Sequence, residues 1–102
     1  MKNPFNFLKR KLKVIEYSVT MKNPSDFHAG EIYKMTPGYY TKKPYFVRIK
    51  SVGTFHIETE IPLHHSLRMP FPSLTWDYQI PRMTYAGIGK GYDKLLYNQK
   101  LD

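Results

Sequence analysis

The chain contains no cysteine. That single absence removes disulfide staples, thiolate metal sites and thiol nucleophiles together. Alanine occurs only twice, at Ala29 and Ala86, as expected of a chain with little helix. Long apolar runs are missing as well. Nothing approaches the roughly 18 consecutive apolar residues of a membrane-crossing helix, and no secretory h-region is present. The expectation is a soluble or membrane-peripheral chain with no transmembrane span. Acidic side chains are scarce, 8 Asp and Glu against 16 Lys and Arg, for a net charge of +8. Such a balance points to polyanions or acidic protein surfaces as partners and says nothing about fold.

What is present suits one small domain. A length of 102 residues leaves room for a modest core only. Val, Ile, Leu and Phe together number 25, and aromatic residues make up 16% of the chain, enough for part of it to fold. The charge is unevenly distributed. Residues 1–50 hold eleven basic and three acidic side chains, whereas residues 51–102 hold five of each. The basic surface therefore belongs to the first half.

Within that half, residues 1–12 read as a basic arm. Asn3 and Pro4 suit a helix start, as N-cap and first helical residue, and Phe5, Leu8 and Leu12 then share one face of a short amino-terminal helix. The first 14 residues are basic, acid-free and partly amphipathic. In this they resemble a mitochondrial presequence, although Ser is missing and Arg occurs once. From residue 13 the period changes to two. Ile15, Tyr17, Val19 and Met21 alternate with polar side chains, predicting a half-buried strand over 13–21. A short strand is expected at 31–35, and Thr36-Pro37-Gly38 has the residue order of a type II turn.

Two alternating runs between Tyr45 and Glu60 flank Ser51-Val52-Gly53 and predict a hairpin. A three-residue loop with Gly53 in the left-handed region pairs Ile49 with Phe55, Val47 with Ile57, and Tyr45 with Thr59. One face is then apolar, and the other sets Arg48 and Lys50 across from Glu58 and its neighbours. Residues 13–60 thus read as a small antiparallel β domain. Beyond residue 61, Pro62, Pro70, Pro72 and Pro81 forbid a long helix or a central strand. Residues 61–102 are expected to be a long, extended, Pro- and aromatic-rich segment anchored on partner proteins by Phe71, Trp76 and Tyr78. A short terminal helix beginning at Asp93 closes it. The fold class expected is mainly β.

Few constellations suggest chemistry. Gly87-Ile88-Gly89-Lys90-Gly91 fails both phosphate-binding patterns. Tyr92 stands where a dinucleotide fingerprint needs its third glycine, and Gly91 stands where a phosphate loop needs Ser or Thr. A turn is the better reading. His28, His56, His64 and His65 include no His-x-x-x-His pair, so no metal site or other cofactor is expected. Glu58 and Glu60 share a strand face, but balancing Arg48 and Lys50 is their expected role. No nucleophile elbow is present, and the chain reads as a non-enzyme.

What remains is a basic, Tyr-rich surface. Lys9, Arg10, Lys11 and Lys13 lie in the arm, followed by Lys42, Lys43, Arg48 and Lys50, with Tyr39, Tyr40 and Tyr45 interleaved. Lysine and arginine neutralise phosphates and tyrosines stack on exposed bases, which is the chemistry of RNA binding. Twelve of the sixteen basic residues are lysine, weighting the surface towards point charges over planar forks. The function expected is that of a structural subunit of a large assembly, a mitochondrial ribosomal protein in the first instance. The basic half would contact rRNA and the carboxyl-terminal half neighbouring proteins, with no homo-oligomer. The alternatives are a supernumerary respiratory-chain subunit and a cytoskeletal, microtubule-lining protein. Localisation follows the assembly: mitochondrial first, otherwise cytoplasmic or cytoskeletal.

Overall fold

A computed structural model describes residues 22–38 and 42–101. The amino-terminal arm and helix, the strand expected over 13–21, and Tyr39 and Tyr40 lie outside the described residues. The protein is mainly β. Five strands, β1 (Glu31–Met35), β2 (Tyr45–Val52), β3 (His56–Ile61), β4 (His65–Pro70) and β5 (Met83–Ile88), form one antiparallel sheet in the order β4-β3-β2-β1-β5. Two short helices join them, α1 (Leu74–Gln79) and α2 (Asp93–Asn98).

Alternation decides which side of the sheet each residue serves. Tyr33 and Met35 on β1, Val47 and Ile49 on β2, Ile57 and Ile61 on β3, and Met69 on β4 belong to one buried cluster. Their sequence neighbours Ile32, Lys34, Arg48, Glu58, Glu60 and Arg68 point the other way. The connection from β4 to β5 has to cross the whole sheet, because these are its two edges. It carries α1, whose Trp76 and Ile80 enter the cluster, while Phe27 packs edge-on against Trp76 at 5.7 Å.

Residues 61–101 therefore depart from the extended tail that their prolines suggest. Each proline sits where it removes no ladder bond from a central strand: Pro62 just after β3, Pro70 at the end of edge strand β4, Pro72 before α1, and Pro81 within a 3-10 turn. Phe71 and Trp76 anchor the protein's own core instead of a partner, with ring centroids 5.1 Å apart and Trp76 wholly buried. Tyr78 alone of the three anchoring aromatics stays exposed.

The hairpin from β2 to β3 also differs from its expected register. Val52 pairs with Ile57, Ile49 with Thr59 and Arg48 with Glu60, so the turn is Gly53-Thr54-Phe55 and Phe55 is 68% exposed. Between Val47 and Ile49 and their partners the slip is four residues, an even number, which leaves Val47, Ile49, Ile57 and Thr59 on their expected face, while Phe55 moves from that face into the turn. Gly53 does not adopt positive φ; the His56 imidazole lies against its bare Cα. Gly38 also lacks the positive φ of a type II turn and instead lies beneath the Arg82 guanidinium.

The second face is covered by α2, which begins at Asp93. Ile32 and Leu96 are fully buried there, outside the main cluster. The Arg48 guanidinium bonds the Asp93 carboxylate, and the Gln99 side chain bonds both backbone groups of Phe46.

Candidate nucleic-acid interface

The second face and α2 hold the polar side chains that strand alternation turns away from the core. Near the β2–β3 hairpin these charges neutralise one another. Lys50 Nζ lies 3.6 Å from Glu58 Oε2, Glu58 pairs in register with Arg68, and Arg48 stands opposite Glu60 while bonding Asp93. A bulge between Ile49 and Ser51 swings Lys50 out to reach Glu58. Arg48 and Lys50 are thus engaged within the fold, which limits what they can offer an external anion.

Five other lysines differ from these. Lys34 on β1 is exposed and pairs in register with Phe46, the residue on which Gln99 docks. Lys100 follows Gln99 directly, Lys94 lies on the outer side of α2, and Lys42 and Lys43 precede β2 in an exposed bend. Among the described residues none of these five lysines makes an ion pair. Tyr97, also on α2, presents a ring that is 45% exposed. The surface thus offers ammonium groups without an ion-pair partner among the described residues, and an accessible aromatic on the helix that carries Lys94. Ammonium groups bind phosphate as point charges, and a tyrosine ring stacks on an unpaired base.

The chain matches no family model, no curated protein and no solved structure. The reading of this surface therefore stands on its chemistry. Among the described residues no group of His, Asp and Glu is assembled for a metal ion, and no helix is long and apolar enough to cross a membrane. An open depression of about 560 Å³ beside α1 is lined by Leu74, Thr75, Asp77, Tyr78 and Gln79.

Of the residues singled out in the sequence, Lys42 and Lys43 are free and exposed, whereas Arg48 and Lys50 are paired internally. Lys9, Arg10, Lys11 and Lys13 lie outside the described residues. Lys34, Lys94 and Lys100 were not singled out. The signal for Lys34 was available, since Ile32 and Lys34 alternate with Tyr33 and Met35, and a core-facing Tyr33 forces Lys34 outward. Nothing in the local sequence says where on the sheet Lys94 and Lys100 come to lie, because that depends on α2 docking, with Gln99 bonded to Phe46 across 53 residues of chain separation.

Proposed function

We propose that the protein is a non-enzymatic structural subunit of a ribonucleoprotein, contacting RNA through its lysine-rich surface and neighbouring proteins through the remainder. The observation that carries this reading is the uneven compensation of charge: Arg48 and Lys50 are paired with carboxylates, while among the described residues the exposed Lys34, Lys42, Lys43, Lys94 and Lys100 make no ion pair. An RNA backbone supplies the missing anions, and release of its counterions would drive association. Lys9, Arg10, Lys11 and Lys13 add to the same sign of charge. The assembly proposed is the mitochondrial ribosome, because the first 14 residues have the composition of a mitochondrial presequence, basic and acid-free.

Sedimentation of the tagged chain from a native lysate, with and without nuclease, tests the proposal. Comigration with a ribosomal subunit that is lost on digestion is the expected result. The fivefold Lys→Glu variant at 34, 42, 43, 94 and 100 should leave the particle while keeping the circular-dichroism spectrum of the parent. Migration unchanged by nuclease, or by that reversal of charge, would refute it.

A further inference from the structure

Strand β5 is an edge of the sheet, and its register with β1 tells which of its backbone groups face outward. In an antiparallel ladder, opposite residues alternate between pairs that exchange hydrogen bonds and pairs that do not. The Thr36 N–H donates to the Arg82 carbonyl at 3.0 Å, one step beyond the Met35–Met83 pair. Counting back by twos, Lys34 and Thr84 form a bonded pair, whereas Met35–Met83 and Tyr33–Tyr85 are not bonded. The backbone N–H and C=O groups of Met83 and Tyr85 therefore point away from β1. The Met83 N–H is accordingly taken by the Ile80 carbonyl, and farther along the Ala86 carbonyl accepts from the Tyr92 hydroxyl at 2.8 Å. Between them, no strand among the described residues lies beyond β5 to take up the outward groups of Tyr85. Its ring packs edge-on against Tyr33 at 5.7 Å and is 53% exposed. The strand, Met-Thr-Tyr-Ala-Gly-Ile, carries neither a charge nor a proline, the usual devices that keep an edge from pairing.

We infer that residues 13–21 of the same chain dock on this edge as a further strand, with Ile15, Tyr17, Val19 and Met21 on the core face beside Tyr85. Directly opposite residues share a face, so the residue that exchanges both backbone bonds with Tyr85 comes from this apolar row. The place where the described chain begins favours this edge. Lys22 Nζ lies 5.6 Å over the Phe27 ring, Phe27 lies 5.4 Å from Tyr33, and Tyr33 touches Tyr85, so the segment ends on the core face two rings from the open position. Its reach is sufficient, since nine strand residues span roughly 30 Å and β5 has only six residues. The other edge, β4, is less receptive: it bears Arg68 and ends in Pro70, which has no N–H to donate. A second copy of the chain is the competing occupant of β5. Its net charge of +8 opposes that pairing, whereas residues 13–21 hold one Lys and one Glu and bring no net charge to the edge.

This inference does not depend on the assembly reading above, and the absence of native cysteine makes it directly testable in the full-length chain. Thr84→Cys, on the exposed face of β5, is combined in turn with Glu16→Cys, Ser18→Cys or Thr20→Cys. Neighbours across a non-bonded antiparallel pair stand about 4.5 Å apart at Cα, within disulfide reach. One of the three pairs should close an intramolecular bridge on mild oxidation, while the same three combined with Ser66→Cys on β4 should not. Bridging to Ser66→Cys as readily as to Thr84→Cys overturns the inference, and so does a bridge formed only between two chains, which would assign the edge to a second copy. Hydrogen exchange supplies an independent reading. In the parent, the Tyr85 amide should exchange at least about tenfold more slowly than an unpaired amide, although β1 does not bond it. Val19→Lys, on the apolar row, should abolish that protection, and Ser18→Lys, on the polar row, should keep it. An unprotected Tyr85 amide in the parent, or equal effects of the two substitutions, refutes the pairing. Should Val19→Lys unfold the whole chain, the disulfide comparison decides by itself.

Discussion

Gln99 shows how one side chain closes a gap left by backbone chemistry. β3 ends at Ile61, and continuing its pairing with β2 by two residues beyond Arg48 and Glu60 would bring Pro62 opposite Phe46. Proline has no N–H to donate. The Gln99 carboxamide supplies both missing partners: the Phe46 N–H donates to its Oε1 at 2.8 Å, and its Nε2 donates to the Phe46 carbonyl at 2.7 Å. Two residues later Leu101 packs against the core cluster, so the carboxyl-terminal chain passes the end of the strand. Gln99→Ala should therefore cost about 1–3 kcal/mol, the effect of leaving a part-buried backbone donor and acceptor poorly satisfied. A denaturant titration showing no shift in midpoint would contradict this role. Gly87 is used in the same economical way, since the Tyr92 ring lies against its bare Cα and the Tyr92 hydroxyl donates to the Ala86 carbonyl at 2.8 Å.

Among the elements, α1 depends most on its surroundings. Six residues are too few for a helix to stand alone in water. Ser73 caps it, accepting from the Trp76 N–H at 3.2 Å, and Trp76 then enters the core against Phe27 and Phe71. Trp76→Ala should destabilise the fold by about 3–5 kcal/mol, enough to consume much of the stability of a domain this size. A loss below about 1 kcal/mol in an equilibrium unfolding experiment would mean that α1 is not what closes this face. Strand β1 was legible in position but not in facing, because Ile32 and Tyr33 are adjacent apolar residues that the structure buries on opposite sides of the sheet. The hairpin was legible in face but not in register, because every alignment of β2 with β3 that slips by an even number satisfies the same alternation. The carboxyl-terminal strands were not legible. Their prolines were informative about what those segments avoid, a central position, and silent about edge positions, where proline costs no ladder bond.

At the scale of the whole molecule, the sheet buries apolar residues on both sides, under α1 on one and α2 on the other. Its two edges are joined by a connection that itself forms part of the core. Contacts so distant in sequence form together or not at all. The full-length chain, free of any partner, should therefore unfold in one cooperative thermal transition, with near- and far-ultraviolet circular dichroism changing together. A broad, non-coincident loss of signal would mean that tertiary packing needs a partner to complete it.

The sequence by itself determined the β character, the location of β1 and the β2–β3 pair, and which side chains of that pair face the core, because alternation and charge are local properties of the chain. It also determined that acids lie across from bases at Arg48, Lys50, Glu58 and Glu60. Only the tertiary structure decided that Trp76 and Phe71 serve the protein's own core, that Gln99 completes a strand, and which lysines are left without a counter-ion. Those outcomes depend on contacts between segments tens of residues apart, and composition and periodicity carry no information about which distant segment satisfies a given group.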